Sequence, residues 1–354
     1  MHRRRFLSSN AVAPLPAVPE PDVRPGEFAL VRVSRRAMAT TFEVAVPFGT
    51  PHAIPAAEDA LDLIDGLEDQ LTVYRDHSEV SRLNAAAADG PVVVEDGLFE
   101  LLRFCTAVTN ETAGAFDVAT GALIRAWGFH HREGRVPSPR ERADAMRRTG
   151  SRHLVLDPDR RTVKFRVPGL AINLGGVGKG YALDRAAKLL RTKWGVRSAL
   201  LHGGGSSVYA VGCPPDDPRG WPVAVRHPWD TARTLGTVRL RDAALGTSAA
   251  TFQHFEYNGR KLGHLLDPRT GWPAAGTACA SVAAPTAAEA DALSTAFFVL
   301  GPEKAAGHLR PRPHLGAVLL GDADRATPAA VNLAGRYAPP TFREAYLNDL
   351  SLPD

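Results

Sequence analysis

The sequence predicts an α+β fold, and three observations carry that prediction. Apolar residues recur at helical spacing in several stretches. Strand-like alternation comes in neighbouring pairs joined by turn residues. The two kinds of segment do not follow the strict strand–helix–strand order of a parallel sheet. There is no internal repeat and no linker-like stretch, so residues 29–347 are read as one folded unit. Residues 1–28, proline-rich and without periodicity, are expected to form a disordered tail.

The first strand is expected at Thr40–Val46, where Phe42, Val44 and Val46 alternate. A helix follows over Ala56–Val73 with Leu61, Ile64, Leu67 and Leu71 on one face, and another over Gly97–Thr109 with Leu98, Leu101, Leu102 and Cys105 inward. His153–Leu156 and Thr162–Val167 read as a strand pair across the turn residues Asp157-Pro158-Asp159-Arg160. A glycine-rich turn, Gly175-Gly176-Val177-Gly178-Lys179-Gly180, precedes a helix over Tyr181–Trp194 that Gly195 closes. Strands Ser198–Leu201 and Val208–Val211 flank a Gly-Ser loop, and residues 213–221 read as a proline-rich surface loop. Val223–Arg226, Thr234–Arg239 and Phe252–Tyr257 are expected as antiparallel strands. A helix over Ala287–Leu300 has a start signal in Pro285 and the capping-box pair Thr286 and Glu289. After a turn at Arg310–Pro313, Leu315–Leu320 reads as a buried strand.

Of the 354 residues, 44% are hydrophobic and 23% charged, an ordinary globular balance, and no apolar run is long enough for a membrane span. The net charge of +4 is spread through both halves without a basic stripe, so nucleic acid is not an expected partner. An anionic ligand such as a diphosphate fits that charge. Cys105, Cys213 and Cys279 form no CxxC pair and read as small buried hydrophobes. Arg4-Arg5-Phe6-Leu7 resembles a twin-arginine export signal, but Ser8–Pro19 lacks the apolar core such a signal needs, so cytoplasmic retention is expected over export.

Four segments carry candidate chemistry. The glycines at 175–180 allow close approach of backbone amides to an anion at a helix start, with Lys179 adding a point charge. A P-loop is excluded, because the leading glycine position is Asn173 and no Ser or Thr follows the lysine. Asp291 and Thr295 lie four apart on a helix, so a carboxylate and a hydroxyl share one face, a pairing that suits a hard cation or an ordinary packed helix. In Gly263–Gly271, His264 stands just before a turn marked by Asp267-Pro268 and Thr270-Gly271, where it can move a proton near neutral pH or simply bond within the turn. Gly114-Ala115-Phe116-Asp117 offers a bend, an aromatic ring and a carboxylate that can grip a planar ring or ribose, or form a packed loop.

Taken together and in order, these segments resemble the ApbE family of FAD:protein FMN transferases. The blocks are Met38-Ala39-Thr40, Tyr74-Arg75 with Ser78–Asn84, Gly114–Asp117 with Trp127-Gly128-Phe129, Asn173–Asp184, His264–Gly271, and Ala284–Thr286 with Glu289–Leu293 and Thr295–Gly301. The resemblance implies an α+β, T-fold-like core. It also implies FAD as bound substrate and a Mg²⁺ held by the side chains of Asp291 and Thr295 and the backbone carbonyl of Gly176. Met38, Tyr74, Ala115, Phe116, Asp117, Asn173, Lys179 and the His264-Leu265 strand are then expected to line the FAD site. Asn173 departs from the family's usual aspartate and Ala39 from its glycine. Gly205-Ser206-Ser207 replaces Gly-Gly-Asp, and Thr247-Ser248-Ala249 replaces Thr-Ser-Gly.

The implied reaction moves FMN from FAD to a threonine of an acceptor flavoprotein and releases AMP. His264 is the expected base, with Asp267 as its orienting group. Two alternatives stay open: hydrolysis of FAD to FMN and AMP, and non-catalytic FAD binding, for which Asn173 is the best argument. Gly246–Thr251 is itself somewhat like an acceptor motif, though a structural role explains it better.

Overall fold

The structure, a computed structural model, describes residues 28–131, 133–230, 232–249, 254–257, 260–322, 328–331 and 333. The tail expectation therefore falls almost wholly outside the described residues. Its last member, Phe28, packs edge-on against Trp221 with ring centroids 5.9 Å apart.

The chain opens with the hairpin β1 (Leu30–Ala37) and β2 (Thr40–Pro47), followed by α1 (Ala53–Leu71), α2 (Glu79–Ala86), β3 (Val92–Val93), α3 (Asp96–Glu111), α4 (Gly121–Ala126) and α5 (Pro139–Arg147). The hairpin β4 (Leu154–Asp157) and β5 (Thr162–Phe165) leads to α6 (Gly178–Thr192), β6 (Ala199–Gly203), β7 (Ser207–Val211), β8 (Trp221–Arg226) and β9 (Thr234–Leu240). Then come β10 (Ala243–Ala249), β11 (His254–Tyr257), β12 (Arg260–Gly263), β13 (Leu266–Asp267), β14 (Trp272–Pro273) and β15 (Thr277–Ala284). Helices α7 (Ala287–Leu300) and α8 (Pro302–Leu309) and strands β16 (Gly316–Gly321) and β17 (Ala329–Val331) complete the described fold. The mixture of helices and antiparallel sheets is α+β.

One sheet of order β1-β2-β6-β7-β10-β15-β16-β17 organises the molecule, and every neighbouring pair in it is antiparallel. Strand periodicity sends alternate residues to opposite faces. Tyr209 and Val211 of β7 join the main core with helices α1, α6 and α7, whereas Val208 and Ala210 pack under the β8–β9 hairpin through Trp221, Val225, Val238 and Leu240. The sheet is thus the middle of three layers.

Helix α7 is buried on almost every side, from Ala287 through Val299. It can lie so close to its neighbours because they lack side chains at the contact. A Cβ on Gly246 of β10 would sit 2.4 Å from the carbonyl carbon of Ala290, and one on Gly180 of α6 would sit 2.1 Å from the Ala287 carbonyl oxygen. Thr286 caps α7 by accepting the Glu289 N–H at 3.2 Å.

Several elements differ from the sequence expectation. Strand β1 was assigned to no element, because its apolar residues are interleaved with Arg32, Arg35 and Arg36 on an edge position. Helices α2, α4 and α5 are short, α2 and α5 are half-polar or more, and β12 follows residues outside the described set. Helix α6 begins at Gly178 rather than Tyr181, so Lys179 and Gly180 belong to its first turn. Strands β10 and β15 were unread because they are built largely of Ala, Gly, Ser and Thr, the small residues that α7 demands. Cys105 and Cys279 are buried and Cys213 is half-buried.

Candidate active site

Asp291 lies in the second turn of α7 and is almost fully buried. Its Oδ2 accepts two hydrogen bonds, from Gly180 N–H at 2.8 Å and from Ser207 Oγ at 2.9 Å. Burial pushes the Asp291 carboxyl pKa upward, and the positive charge of Lys179 opposes that rise. One turn on, Thr295 Oγ1 donates to the Asp291 carbonyl at 3.1 Å and lies 3.3 Å from Ser248 Oγ. The loop before α6 meets this face: a Cβ on Gly176 would lie 3.4 Å from both Thr295 Oγ1 and the Phe116 ring. The fold therefore brings Gly176, Thr295 and Phe116 together, with Asp291 one helical turn away.

The hydrogen bonds of the glycine-rich loop are mostly committed within the fold. Gly175 N–H goes to Asn173 Oδ1 at 2.9 Å, and the N–H groups of Val177 and Gly178 go to the Leu174 carbonyl. In a regular helix Gly180 N–H would bond the Gly176 carbonyl four residues earlier. Here Asp291 draws it away, which leaves the Gly176 carbonyl without a donor among the described residues. The N–H groups of Gly176 and Lys179, and the Lys179 ammonium, likewise have no hydrogen-bond partner among those residues. A carboxylate, a hydroxyl and a free carbonyl form an all-oxygen set of the kind that hard cations take. Among the described residues no group of three or more His, Cys, Asp or Glu could hold a metal ion, so a cation would depend on such a mixed set.

Ala115 and Phe116 are buried. The Asp117 carboxylate is consumed inside the fold, accepting from Ala119 N–H, Ser151 N–H and Ser151 Oγ at 2.6–2.8 Å. It fastens its loop rather than reaching outward. Asn84 holds the segment before Asn173 with paired bonds to the Ile172 N–H and carbonyl. Asn173 borders a cavity of about 300 Å³ lined also by Val73, Ser81, Asn84, Ile172 and His130. Beside it Tyr74, 63% exposed, stacks on His130 with ring centroids 4.9 Å apart. Met38 and Ala39 form the β1–β2 turn with φ of 49° and 59°, a left-handed pair normally filled by Asn-Gly. Met38 N–H is tied to Glu68 at 2.7 Å.

His264 and Leu265 are half-buried in the link between β12 and β13, and the Leu265 carbonyl accepts Ala274 N–H at 2.8 Å. Asp267 grips Arg269, which meets its two carboxylate oxygens through Nε and Nη2, both at 2.9 Å. Arg269 in turn lies 3.5 Å from where a Gly114 Cβ would stand, and Trp127 Nε1 bonds the Gly271 carbonyl at 2.9 Å. These contacts join the His264–Gly271 turn to the Gly114–Asp117 loop.

Sequence reasoning missed two residues here. Ser207 was noted only as a departure, yet it is one of the two donors to Asp291. Asp184 of α6 accepts the N–H groups of Ala287 and Ala288 at 2.7 and 2.9 Å, and burial pushes its pKa up to about 7. Neither had a local signal, because the partners are far away in the chain.

Fold and site define a class: an α+β protein whose glycine-rich loop packs against a buried helix. The chain belongs to the ApbE family, whose model matches residues 38–319. It is 33% identical over 288 residues to a FAD:protein FMN transferase of Treponema pallidum (strain Nichols), covering 77% of this chain and 78% of that one. With the FAD:protein FMN transferase of Escherichia coli (strain K12) it shares 29% identity over 281 residues, covering 76% and 78% of the two chains. Among solved structures, the ApbE protein of Thermotoga maritima superposes with a TM-score of 0.78 at 26% identity, over 86% of this chain and 97% of that one. The apo form of the Pseudomonas stutzeri flavinyl transferase ApbE gives 0.77 at 28% identity, over 88% and 97%.

Proposed function

We propose that this chain catalyses Mg²⁺-dependent transfer of FMN from FAD to a threonine of an acceptor flavoprotein, releasing AMP. As a member of the ApbE family whose relatives named above are FAD:protein FMN transferases, it is an enzyme that transfers a flavin to a protein. The observation that carries the finer reading is the diverted Gly180 N–H, which leaves the Gly176 carbonyl without a donor among the described residues, in a loop that packs against Thr295.

In this reading Asp291 and Thr295 hold the ion with their side chains and Gly176 with its carbonyl. Bound there, Mg²⁺ supplies charge neutralisation at the diphosphate. Lys179 and the free N–H groups of Gly176 and Lys179 bind phosphate oxygens at the start of α6. The Tyr74–His130 shelf and the cavity beside Asn173 receive a planar ring of FAD, and Met38, Ala115, Phe116 and Leu265 line its surroundings. Asp117 acts by fixing the Ala115–Phe116 loop. The acceptor threonine oxygen attacks the FMN-side phosphorus, the bond from that phosphorus to the AMP oxygen breaks, and His264 takes the threonine proton. Asp267 contributes by holding Arg269, which anchors the His264 turn against the Gly114 loop.

The test is incubation with FAD, Mg²⁺ and a threonine-bearing acceptor domain, followed by intact mass measurement. A gain of one FMN on the acceptor is expected. Free FMN without a modified acceptor supports hydrolysis instead, and FAD retained without turnover supports a binding protein.

A further inference from the structure

Helices α6 and α7 cap one another. Asp291 of α7 takes the Gly180 N–H in the first turn of α6, and α6 has no side-chain cap at Val177. Asp184 of α6 takes the first two N–H groups of α7, those of Ala287 and Ala288. Each carboxylate thus satisfies donors that a helix start leaves unpaired and lies at the positive end of the partner's dipole. Between these contacts the two backbones are in near touch, since a Cβ on Gly180 would sit 2.1 Å from the Ala287 carbonyl oxygen. The spacing of the helices is therefore set by backbone contact, and their relative slide along the axes is set by the two carboxylates.

We propose that Asp184 is a positioning residue for the cation site: by clamping the start of α7 to α6 it holds Asp291 and Thr295 in register with the Gly176 carbonyl. The inference rests on the magnesium reading above. Among the described residues no hydrogen bond joins Asp184 to the cation donors, although its carboxylate lies within electrostatic range of Asp291. Its effect runs through the α7 backbone, three residues from Ala288 to Asp291.

The test uses the full chain and Mn²⁺ alone, with free Mn²⁺ followed by electron paramagnetic resonance and folding checked by circular dichroism. Outer-shell partners of metal ligands typically matter by about 10–100-fold in affinity. Asp184→Ala is expected to weaken Mn²⁺ binding by about tenfold or more. Asp184→Asn, which keeps one acceptor oxygen and opposes the second N–H with its amide, should fall between Asp184→Ala and the unaltered chain. If removing the buried carboxylate unfolds the protein, Ala287→Pro tests the same clamp from its other side. It deletes one donor at the first helical position, where proline is best tolerated and where Thr286 is already extended. The Mg²⁺ concentration for half-maximal transfer should rise in parallel, with the rate recovering at saturating Mg²⁺. A purely structural Asp184 lowers the melting temperature and leaves Mn²⁺ affinity of the folded protein unchanged, and that result overturns the proposal. Absence of Mn²⁺ binding by the unaltered chain sinks the magnesium reading itself, a separate outcome.

Discussion

In the proposed site Asp291 has two jobs in one carboxylate, and they make opposite demands on a substitution. Its Oδ2 anchors Gly180 and Ser207, while its charge is what a cation needs. Asp291→Ala removes both, so transfer supported by Mg²⁺ should fall by about 10²–10³-fold, the usual cost of losing a major electrostatic stabiliser. A variant that stays fully active with Mg²⁺ removes Asp291 from the cation set. His264 is tested at another step. His264→Asn keeps a polar side chain of similar reach but cannot take a proton near pH 7. Its transfer rate should drop by about 10²-fold while FAD affinity, read by fluorescence titration, stays within a factor of two or so. An unchanged rate would assign the base elsewhere. Asn173, the departure that argued for a non-catalytic protein, keeps its amide oxygen on Gly175 N–H. A carboxylate there would accept the same bond, so asparagine preserves the loop while carrying no negative charge.

At the scale of elements, the helices with a clean apolar stripe were legible in the sequence and the small-residue strands were not. Helix α1 displays Leu61, Ile64, Leu67 and Leu71 because one side of it faces solvent. Helix α7 was legible from its start signal rather than its pattern, for it is buried all round. The strands beneath it, β10 and β15, carry Ala, Gly and Ser where strands usually carry branched or aromatic residues. Their composition answers to the helix above them, a tertiary demand that no local pattern reports. The site divided along the same line. The four-residue spacing of Asp291 and Thr295 puts them on one helix face, while their expected cation role comes only from the family resemblance, and Ser207 and Asp184 act across the fold. Gly246 is the place to test this account. A methyl group there would stand 2.4–2.6 Å from the Ala290 carbonyl and the Asp291 N, against backbone that cannot rotate away. Gly246→Ala should lower stability by about 1–3 kcal/mol in urea unfolding. It should also shift α7, so that the requirement for Mg²⁺ rises. Unchanged stability would mean that the helix has room the structure does not show.

For the molecule as a whole, the proposed site draws on widely separated parts of the chain. Tyr74 comes from the loop after α1, His130 from a short 3-10 turn after α4, Gly176 and Lys179 from the loop before α6 and its first turn, Asp291 and Thr295 from α7 and His264 from the link after β12. No helix among the described residues is long and apolar enough to cross a membrane. A ligand that bridges these parts and binds only the folded chain must stabilise all of it by mass action. At a free concentration of 100 times the dissociation constant, that stabilisation is about 2.7 kcal/mol. With an unfolding entropy of about 2.1 cal/mol/K per residue, such an increment corresponds to a melting-temperature rise of about 4 °C for a chain of this size. FAD and Mg²⁺ together should therefore raise the melting temperature more than the sum of their separate effects, because the ion and the diphosphate strengthen each other's binding. In Asp291→Ala the FAD shift should persist and the extra Mg²⁺ increment should vanish. Strictly additive shifts in the unaltered chain, measured by scanning calorimetry, would place the ion and the dinucleotide at independent sites.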